Sequence, residues 1–259
     1  MAEIKTVLIT GSTSGIGLGI AKAFAGTRKF NLITNGLEAD GARITAKLGK
    51  EHNIQTMFSA ANLLHPAELR AMVEEISKRF GQIDVLINNA GIQHVSPVEE
   101  FPDEKWTDII NINLNAAFYL VKAVWPSMKE NKFGRIINIA SAHGLRASPF
   151  KSAYVASKHG LVGFTKSIAL EGADYNITAN AICPGYVKTP LVDQQISAQA
   201  AAHKISEEDV IKNILLAKQA VKEFVPVELI GKMALFMASE EASTLTGAAI
   251  SLDGGWTAQ

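Results

Sequence analysis

The chain has 259 residues, a length typical of a single α/β domain. Hydrophobic residues make up 47% of it and charged residues 19%, and 25 basic residues balance 25 acidic ones. This is the composition of a globular protein, and the lack of a basic excess argues against a nucleic acid or an anionic membrane as the partner.

Two further features narrow the class of protein. The N-terminal stretch MAEIKTVLIT lacks the basic segment, apolar core and cleavage site of a secretion signal, and no uncharged apolar run is long enough to span a bilayer. The single cysteine, Cys183, excludes an internal disulfide and a cysteine-cluster metal site. Its apolar neighbours indicate a small core residue. We therefore expect a cytoplasmic protein without a bound metal.

Short apolar runs alternate along the chain with longer amphipathic segments. The predicted strands cover residues 6–10, 31–35, 55–60, 85–88, 135–140, 178–183 and 249–252. The predicted helices cover residues 16–25, 39–50, 66–80, 103–130, 153–171 and 226–238. This alternation predicts an α/β fold with a doubly wound parallel sheet, whose strands are apolar on both faces because helices cover them. No linker divides the chain, so we expect one domain over residues 1–259.

Residues 189–223 interrupt this alternation before the last strand. The segment is rich in Ala, Gln, Lys and Glu and follows the chain-turning pair Pro184–Gly185. Ligands bind beyond the carboxyl ends of parallel strands, so an insertion at that edge is suited to cover a ligand. We expect a helical lid over a substrate; a surface hairpin without a role in binding is the alternative.

A glycine-rich turn, TGSTSGIG, follows the first predicted strand and opens into a helix. Gly11 permits a tight turn, and Gly15 and Gly17 allow the backbone to approach a pyrophosphate and pack closely on the helix. The free N–H groups of the helix N-terminus then face the anion. On the first strand of a parallel sheet this turn predicts a dinucleotide site, although such a turn also occurs without a ligand.

The end of the second predicted strand bears on which dinucleotide binds. An acid at this point holds the ribose hydroxyls of NAD, whereas an arginine accommodates the 2′-phosphate of NADP. Here the positions are Asn35, Gly36 and Leu37, and the first basic residue is Arg43, which we expect well down the next helix. The missing phosphate partner favours NAD.

Tyr154 and Lys158 stand four residues apart, a spacing that places both on one face of a helix. Removing a hydride from an alcohol requires a base for the hydroxyl proton, and free tyrosine, with a pKa near ~10, is a poor one. A neighbouring ammonium favours the phenolate. We therefore expect Lys158 to lower the pKa of Tyr154 and prepare it to move a proton.

Five motifs occur in order along the chain: TGSTSGIG, NNAG at residues 88–91, Asn113, Ser141 and YVASK at residues 154–158. Together they resemble the short-chain dehydrogenase/reductase family over essentially the whole chain. The resemblance implies a Rossmann-like sheet of seven strands, commonly a homotetramer, and a catalytic set of Asn113, Ser141, Tyr154 and Lys158. Asn113, which lies inside a predicted helix, would hold a water that connects Lys158 to solvent; an ordinary solvated side chain is the alternative.

The resemblance also implies the residues around the dinucleotide. They are Gly11, Thr13, Gly15, Ile16, Gly17, Asn35, Asn62, Leu63, Asn89, Gly91, Tyr154, Lys158, Pro184, Gly185, Val187 and Thr189. The chain departs from the family at Asn62, where an aspartate usually lies near the adenine. We expect the asparagine to weaken adenine recognition without abolishing it.

Within the family, the segments STSGIGLGIA, NNAGIQH, FGRIINIASAHGL, KSAYVASKHG and LDGGWTA resemble bacterial D-3-hydroxybutyrate dehydrogenases. The resemblance implies a carboxylate site of Gln93, His143, Lys151 and Gln195, in which Lys151 supplies the charge. Tyr186, Leu215 and Trp256 are the candidates for the apolar end of the substrate. Relatives commonly have tryptophan at the position of Tyr186, so the smaller ring leaves room for a longer acid. Each of these residues also has an ordinary packing or surface role as its alternative.

Three other functions compete with a 3-hydroxy-acid dehydrogenase. A reductase of carrier-bound 3-oxoacyl groups would use NADPH and need a basic residue for its phosphate. A sugar dehydrogenase would not need Lys151. A catalytically silent dinucleotide-binding regulator would not need Ser141, Tyr154 and Lys158 together.

Overall fold

The structure, a computed structural model, describes residues 4–189, 192–193, 196–197, 200 and 204–258. Its strands are β1 (Lys5–Ile9), β2 (Phe30–Asn35), β3 (Thr56–Ser59), β4 (Val85–Asn88), β5 (Gly134–Ile139), β6 (Ile177–Pro184) and β7 (Ala249–Leu252). They form one seven-stranded sheet in the order β3-β2-β1-β4-β5-β6-β7, with every neighbouring pair parallel. The predicted doubly wound Rossmann-like sheet is confirmed.

Helices connect these strands and cover both faces of the sheet. They are α1 (Gly15–Thr27), α2 (Gly41–His52), α3 (Pro66–Phe80), α4 (Asp103–Ile110), α5 (Ala116–Glu130), α6 (Ser152–Gly172), α7 (Glu207–Val210) and α8 (Val227–Ala238). Two π-helical turns, at Asn111–Asn115 and Ile211–Leu215, follow α4 and α7. Short 3-10 turns lie at Val98–Glu100, Ala142–Gly144, Ala173–Tyr175 and Trp256–Ala258.

The core consists of two apolar layers, one on each side of the sheet. In β1, Val7 and Ile9 pack into the layer that contains Phe24 of α1, whereas Leu8 packs into the layer that contains Leu69 of α3. This division follows from the alternation of side chains along a strand. Because both faces are covered, β1 is apolar from Val7 to Ile9, in agreement with the largely apolar strands that the sequence predicted.

Several element boundaries differ from the prediction by one or two residues, and two differences bear on the candidate site. The single helix expected over residues 103–130 contains the π-helical turn Asn111–Asn115 between α4 and α5. Helix α2 begins at Gly41 instead of residue 39, and Arg43 is therefore in its first turn, not well down the helix. Hydrophobic periodicity does not register a one-residue change in hydrogen-bond spacing, so neither detail was visible in the sequence.

The strand order reverses between β1 and β4, and this reversal places the functional residues. Chains leave β1 and β4 toward opposite sides of the sheet, which opens a crevice at the carboxyl ends of the strands. The glycine-rich turn after β1 and the NNAG segment after β4 both border that crevice.

The described part of residues 189–223 has an apolar cluster of its own. Ile196, Val210, Leu215 and Leu216 are its buried members, and Tyr186 and Val192 pack against it. This cluster is separate from both layers of the main core. In the described part of the chain, no helix has the length and apolar character needed to cross a membrane.

Candidate active site

The glycine-rich turn has a backbone that other residues would not adopt readily. Gly11 and Gly15 have φ angles of 58° and 51°, in the left-handed region. Gly17 lies in the first turn of α1, and a Cβ atom there would collide with the carbonyl oxygen of Gly11 and the side-chain amide of Asn89. The three glycines thus form a cradle that leaves backbone, not side chains, facing the crevice.

Asn89 fixes this turn from the neighbouring strand. Its side-chain amide donates to the carbonyl oxygens of Thr10 (2.9 Å) and Gly11 (2.8 Å). In return, the hydroxyl of Thr10 accepts hydrogen bonds from the backbone N–H groups of Asn89 (3.0 Å) and Ala90 (3.1 Å). The loops after β1 and β4 are therefore held together as one unit.

A cavity of about 620 Å³ lies along these loops. Its lining includes ten of the residues predicted to bind a dinucleotide, namely Gly11, Gly15, Ile16, Gly17, Asn35, Asn62, Leu63, Asn89, Gly91 and Thr189. Thr13, Pro184 and Lys158 do not line this cavity, and Gly185, Val187 and Tyr154 line a second cavity next to it. The glycine cradle and the volume of the cavity fit a nicotinamide dinucleotide.

Glu38 is a residue of this cavity that the sequence analysis missed. It lies just beyond Gly36 and Leu37 in the lining, and its carboxylate accepts hydrogen bonds from the hydroxyls of Thr13 and Ser14. The hydrogen bond from Thr13 is the main reason that the pKa of Glu38 is lowered, so the carboxylate is ionised at neutral pH. The acid that the analysis did not find at residues 35–37 is therefore present one position later.

The two asparagines predicted in this region use their side chains inside the protein. The amide of Asn35 donates to the carbonyl oxygens of Ser59 (3.2 Å) and Ala61 (2.9 Å), which ties the end of β2 to β3. The side-chain oxygen of Asn62 accepts the backbone N–H of Leu64 (3.0 Å). Both residues line the cavity, but the side-chain contacts described here are with the protein backbone and hold the loops after β2 and β3 in place.

Arg43, the nearest basic residue after β2, forms an ion pair with Asp40 (2.9 Å) on the exposed start of α2. It is not part of the cavity lining. Although the residue lies closer to the loop than predicted, its charge is paired with Asp40.

A second cavity of about 270 Å³ adjoins the first, and Ile16 and Thr189 line both. It brings together the predicted residues Gln93, Ser141, His143, Lys151, Tyr154, Tyr186 and Trp256. Four segments that are distant in sequence therefore meet here: the loop after β4, the region from β5 to the start of α6, the loop after β6, and the C-terminal turn. Gln195, the fourth predicted carboxylate ligand, lies outside the described residues.

Tyr154 stands in the first turn of α6 beside Ser141, which follows β5. Burial raises the pKa of Tyr154, and the hydrogen bond with Ser141 lowers it by less. The sequence analysis predicted a lowered pKa, and this direction is wrong because the loss of solvation outweighs the nearby donors. A group that favours the phenolate must therefore offset the rise in the pKa of Tyr154 that burial causes.

Lys158 is buried one turn after Tyr154 on the same helix. Its ammonium donates to the carbonyl oxygen of Ile139 at 2.7 Å and lies 5.7 Å from the centre of the Tyr154 ring. Burial lowers the pKa of Lys158 to about 8, which leaves most of it charged at pH 7. The predicted stacking of the two side chains on one helix face agrees with this placement.

Asn113 lies in the π-helical turn between α4 and α5 and is buried. Its side-chain oxygen accepts the backbone N–H of Ile92 (2.8 Å), and its amide donates to the carbonyl of Ile92 (3.0 Å) and the hydroxyl of Ser157 (3.1 Å). The side chain thus joins the loop after β4 to α6, and π-helical turns are frequent at such functional positions.

Lys151 and His143 form the polar end of the second cavity. Lys151 immediately precedes α6, and its pKa is lowered by burial and by the charge of Lys218. Burial lowers the pKa of His143 to about 4, with Lys151 and Lys218 adding to the effect, so the imidazole is neutral at pH 7. Gln93 is exposed at the rim.

The apolar end of the cavity differs from the prediction in one residue. Trp256 and Tyr186 line it with their rings stacked, 6.2 Å apart and inclined by 8°. Leu215 does not line it, because its side chain is buried in the cluster of the insertion. Val192 and Val95 take part in the lining instead, and neither was marked in the sequence by a pattern that would have revealed it.

Comparison with known proteins agrees with this geometry. The chain matches the family described as short chain dehydrogenase over residues 5–200. It is 48% identical to D-beta-hydroxybutyrate dehydrogenase of Rhizobium meliloti over 98% of this chain and 99% of the relative. It is 49% identical to the protein of the same name from Cupriavidus necator, over the full length of both.

Among solved structures, a variant of actinorhodin polyketide ketoreductase with NADPH superposes with a TM-score of 0.91. It is 33% identical in sequence, and the match covers 98% of each chain. The family match and the full-length relatives establish that this chain belongs to the short-chain dehydrogenases, oxidoreductases that bind a nicotinamide dinucleotide.

Proposed function

We propose that the protein catalyses the reversible oxidation of (R)-3-hydroxybutyrate to acetoacetate with NAD. The observation that carries this proposal is the charge of the second cavity. Lys151 is the one charged residue among the described lining residues, and none of those residues is acidic. A partly buried ammonium without an acidic partner in its cavity favours an anionic ligand.

The size and polarity of the cavity support a small acid. A volume of about 270 Å³ suits a compact molecule better than a carrier-bound acyl chain. Lys151 would hold the carboxylate, with hydrogen bonds from Gln93, His143 and, by resemblance, Gln195. The names of the two full-length relatives are consistent with this substrate.

The stacked aromatic rings of the second cavity support an apolar binding site for the methyl end of the substrate. Trp256 and Tyr186 present an apolar wall, and Val192 of the insertion lies on the same cavity. We infer that residues 189–223, inserted in a single domain of 1–259, act as a lid over this end. Since Tyr186 is smaller than a tryptophan, 3-hydroxyvalerate is a candidate second substrate.

The proton of the substrate hydroxyl would pass to Tyr154. A bound nicotinamide supplies the acceptor for the electron pair of the C–H bond. Tyr154 would take the proton as general base, and Ser141 would donate a hydrogen bond to the substrate oxygen. Because burial raises the pKa of Tyr154, the charged Lys158 beside it is needed to favour the phenolate. By resemblance, Asn113 would hold a water that connects Lys158 to solvent.

Glu38 supports NAD as the cofactor. Its carboxylate lies in the first cavity at the end of β2, where the ribose of the adenosine half is bound in proteins of this fold. A fixed negative charge would accept hydrogen bonds from ribose hydroxyls and repel a 2′-phosphate. Arg43, the nearest cation along the chain, is paired with Asp40.

We also propose a homotetramer. Phe118 of α5 is 45% exposed and Leu170 of α6 is 82% exposed, and a Cβ atom at Gly163 of α6 would meet no other atom within 4 Å. An open apolar surface on two neighbouring helices is suited to contact with another copy. Light scattering on the purified protein tests this assembly.

The decisive experiment measures NADH formation from (R)- and (S)-3-hydroxybutyrate, 3-hydroxyvalerate and the ethyl ester of (R)-3-hydroxybutyrate. We expect the (R)-acid to be the best substrate and the ester to be poor, because the ester cannot use Lys151. Faster turnover of a 3-oxoacyl thioester with NADPH would instead establish a reductase. Binding of NADH without turnover of any compound would indicate a regulator.

A further inference from the structure

A buried glutamine lies where residues 189–223 return to the rest of the domain. Gln219 is only 1% exposed, although it lines neither cavity. A buried amide is costly unless other groups of the protein take up its hydrogen bonds. The partners of Gln219 therefore show which segments it holds together.

Backbone groups fix the orientation of this amide. The side-chain oxygen of Gln219 accepts the backbone N–H of Tyr186 (3.1 Å). The side-chain nitrogen donates to the carbonyl oxygens of Val221 (3.2 Å) and Glu223 (2.9 Å). A backbone N–H can only donate and a carbonyl oxygen can only accept, so turning the amide over would lose all three hydrogen bonds. Val221 also donates its own N–H to the carbonyl oxygen of Gly254 (2.9 Å), in the C-terminal turn.

Two glycines leave room for the amide. A Cβ atom at Gly185 would lie 2.7 Å from the side-chain oxygen of Gln219, and one at Gly254 would lie 2.9 Å from its nitrogen. Gly185 adjoins Tyr186, and Gly254 lies in the turn that leads to Trp256. The amide is therefore packed between the two segments that carry the stacked rings of the second cavity.

The backbone of Tyr186 depends on this side chain because β6 ends before it. The N–H of Gly185 still donates to the carbonyl oxygen of Leu252 in β7 (2.9 Å). The carbonyl oxygen of Tyr186 accepts the N–H of Val225 (2.8 Å). The N–H of Tyr186 is held by the side chain of Gln219. Beyond the end of the sheet, this side chain thus takes the place of a neighbouring strand.

We propose that Gln219 is a positioning residue that sets the distance between the aromatic wall of the second cavity and Lys151. Nζ of Lys151 lies 5.9 Å from the centre of the Tyr186 ring, and Trp256 is stacked with that ring. Because Gln219 fixes the backbone of Tyr186, it determines how long an acid fits between the ammonium and the wall. This inference rests on the proposed function for the roles of Lys151 and Tyr186.

A displaced wall has a recognisable kinetic effect. The wall contacts the end of the acid that does not react, so its displacement weakens binding in the ground state and in the transition state alike. Such a loss raises KM and leaves kcat unchanged. A wall that is less firmly held also yields more easily to a longer acid.

Three variants test this role. Gln219→Met has nearly the same length as the wild-type side chain and removes the amide. Gln219→Glu, studied at about pH 6, where burial keeps a carboxyl group protonated, retains an acceptor for Tyr186 and one of the two donors. It is the milder variant if Gln219→Met does not fold. Gln55→Met makes the same substitution at an exposed glutamine and is the matched control.

The first readout is the environment of Trp256, measured by fluorine NMR of protein labelled with 5-fluorotryptophan. The chain has three tryptophans, and Trp256→Phe assigns the signal. We expect the Trp256 signal to shift or broaden in Gln219→Met, to change less in Gln219→Glu, and to stay unchanged in Gln55→Met. Trp106 and Trp125, in α4 and α5, should not respond. An unchanged Trp256 signal, or equal changes at all three tryptophans, would overturn the proposal.

This measurement needs no substrate, so its result stands even if the hydroxy-acid activity is wrong. The second readout is steady-state kinetics with (R)-3-hydroxybutyrate and (R)-3-hydroxyvalerate. In Gln219→Met, KM for hydroxybutyrate should rise roughly tenfold, the scale of a buried N–H group left without its acceptor. Both kcat and the affinity for NADH should stay near their wild-type values, and the ratio of kcat/KM should move toward hydroxyvalerate.

Gln219→Glu should show a smaller rise in KM, and Gln55→Met none. A fall in kcat with an unchanged KM, equal for the two acids, would mean that Gln219 acts on the reacting centre or on folding, and would overturn the proposal. If the wild type oxidises neither acid, the proposed function fails, and the signal of Trp256 alone decides whether Gln219 positions the wall.

Discussion

The two cavities that meet at Ile16 and Thr189 are built in different ways. The first is formed by backbone: two glycines with positive φ, a third glycine that admits no Cβ, and loops fastened to each other through Asn89. The second is formed by side chains from segments distant in sequence, with an insertion that packs on a small apolar cluster of its own. The fold therefore combines a first cavity fixed by backbone contacts with a second cavity whose lining side chains can be substituted.

This difference bears on how freely the residues of each region can be substituted. A turn that depends on close backbone approach tolerates little substitution. Side chains such as Lys151 and Tyr186, in contrast, can change without altering the sheet, and substrate preference can change with them. Single substitutions should therefore change either cofactor binding or substrate turnover without changing the other.

The largest effect on turnover without an effect on cofactor binding is expected for Tyr154→Phe. The variant keeps the ring and removes the ionisable oxygen, so turnover should fall by at least roughly 100-fold, the scale of a general base. The cradle around Gly11 and Asn89 is untouched, and NADH should bind as before. Steady-state kinetics and a fluorescence titration with NADH measure the two quantities; near-normal turnover would assign the base to another group.

A smaller separation is expected for Lys151→Ala, which removes the one charge among the described lining residues. Losing one partner of a buried charge pair typically costs about 2–5 kcal/mol, so kcat/KM for acetoacetate should fall by roughly 30-fold or more. The ethyl ester of acetoacetate, a poor substrate from the start, should lose little further. Lys212→Ala is the control for net charge. Equal losses for acid and ester would show that Lys151 acts through Tyr154 or through folding.

The fold and the first cavity could be predicted because their signals are local. Apolar runs with flanking amphipathic segments predict strands and helices, and glycines at positions 11, 15 and 17 predict the turn between β1 and α1. Each depends on residues within about ten positions of each other. The structure agrees in the number and parallel arrangement of the strands and in the placement of the turn.

What the sequence did not reveal depends on contacts between distant residues. Glu38 gains its place from Thr13 and Ser14, which lie 25 and 24 positions earlier. Leu215 has the hydrophobicity expected of a substrate wall, but its partners Ile196 and Val210 bury it elsewhere. The pKa of Tyr154 was predicted from its charged neighbour alone, whereas the depth of burial, which decides the direction, is a property of the whole fold.

An effect of about tenfold is expected for Glu38→Gln, this time in the first region. The substitution keeps the shape and removes the charge that repels a 2′-phosphate, so the ratio of kcat/KM for NADP to that for NAD should rise by roughly tenfold. The KM for the hydroxy acid should not change. Glu51→Gln, at an exposed acid near the end of α2, is the matched control. An unchanged ratio would place the discrimination in other residues.

The smallest effect is expected when the pH is lowered, and it concerns the free energy of unfolding. It depends on His143, which lines the second cavity. The pKa of His143 is lowered from 6.5 to about 4 because burial disfavours the imidazolium, so between these values the unfolded chain binds a proton that the folded chain does not. The free energy of unfolding therefore falls as the pH falls from 6.5 toward 4. Between pH 6.5 and 5.5 this one group should cost about 1 kcal/mol.

Urea titrations of the wild type and His143→Gln at the two pH values measure that difference, since every other titrating group is shared. Because the two proteins can differ in stability at pH 6.5, the quantity compared is the change in the free energy of unfolding between the two pH values. We expect the wild type to lose about 1 kcal/mol more than His143→Gln over this unit of pH. Glu38 should not contribute to the difference, because its lowered pKa places its titration at more acidic pH. Parallel losses in the two proteins would mean that the folded state protonates His143 as readily as the unfolded chain does, and that burial does not keep this imidazole neutral in the cavity.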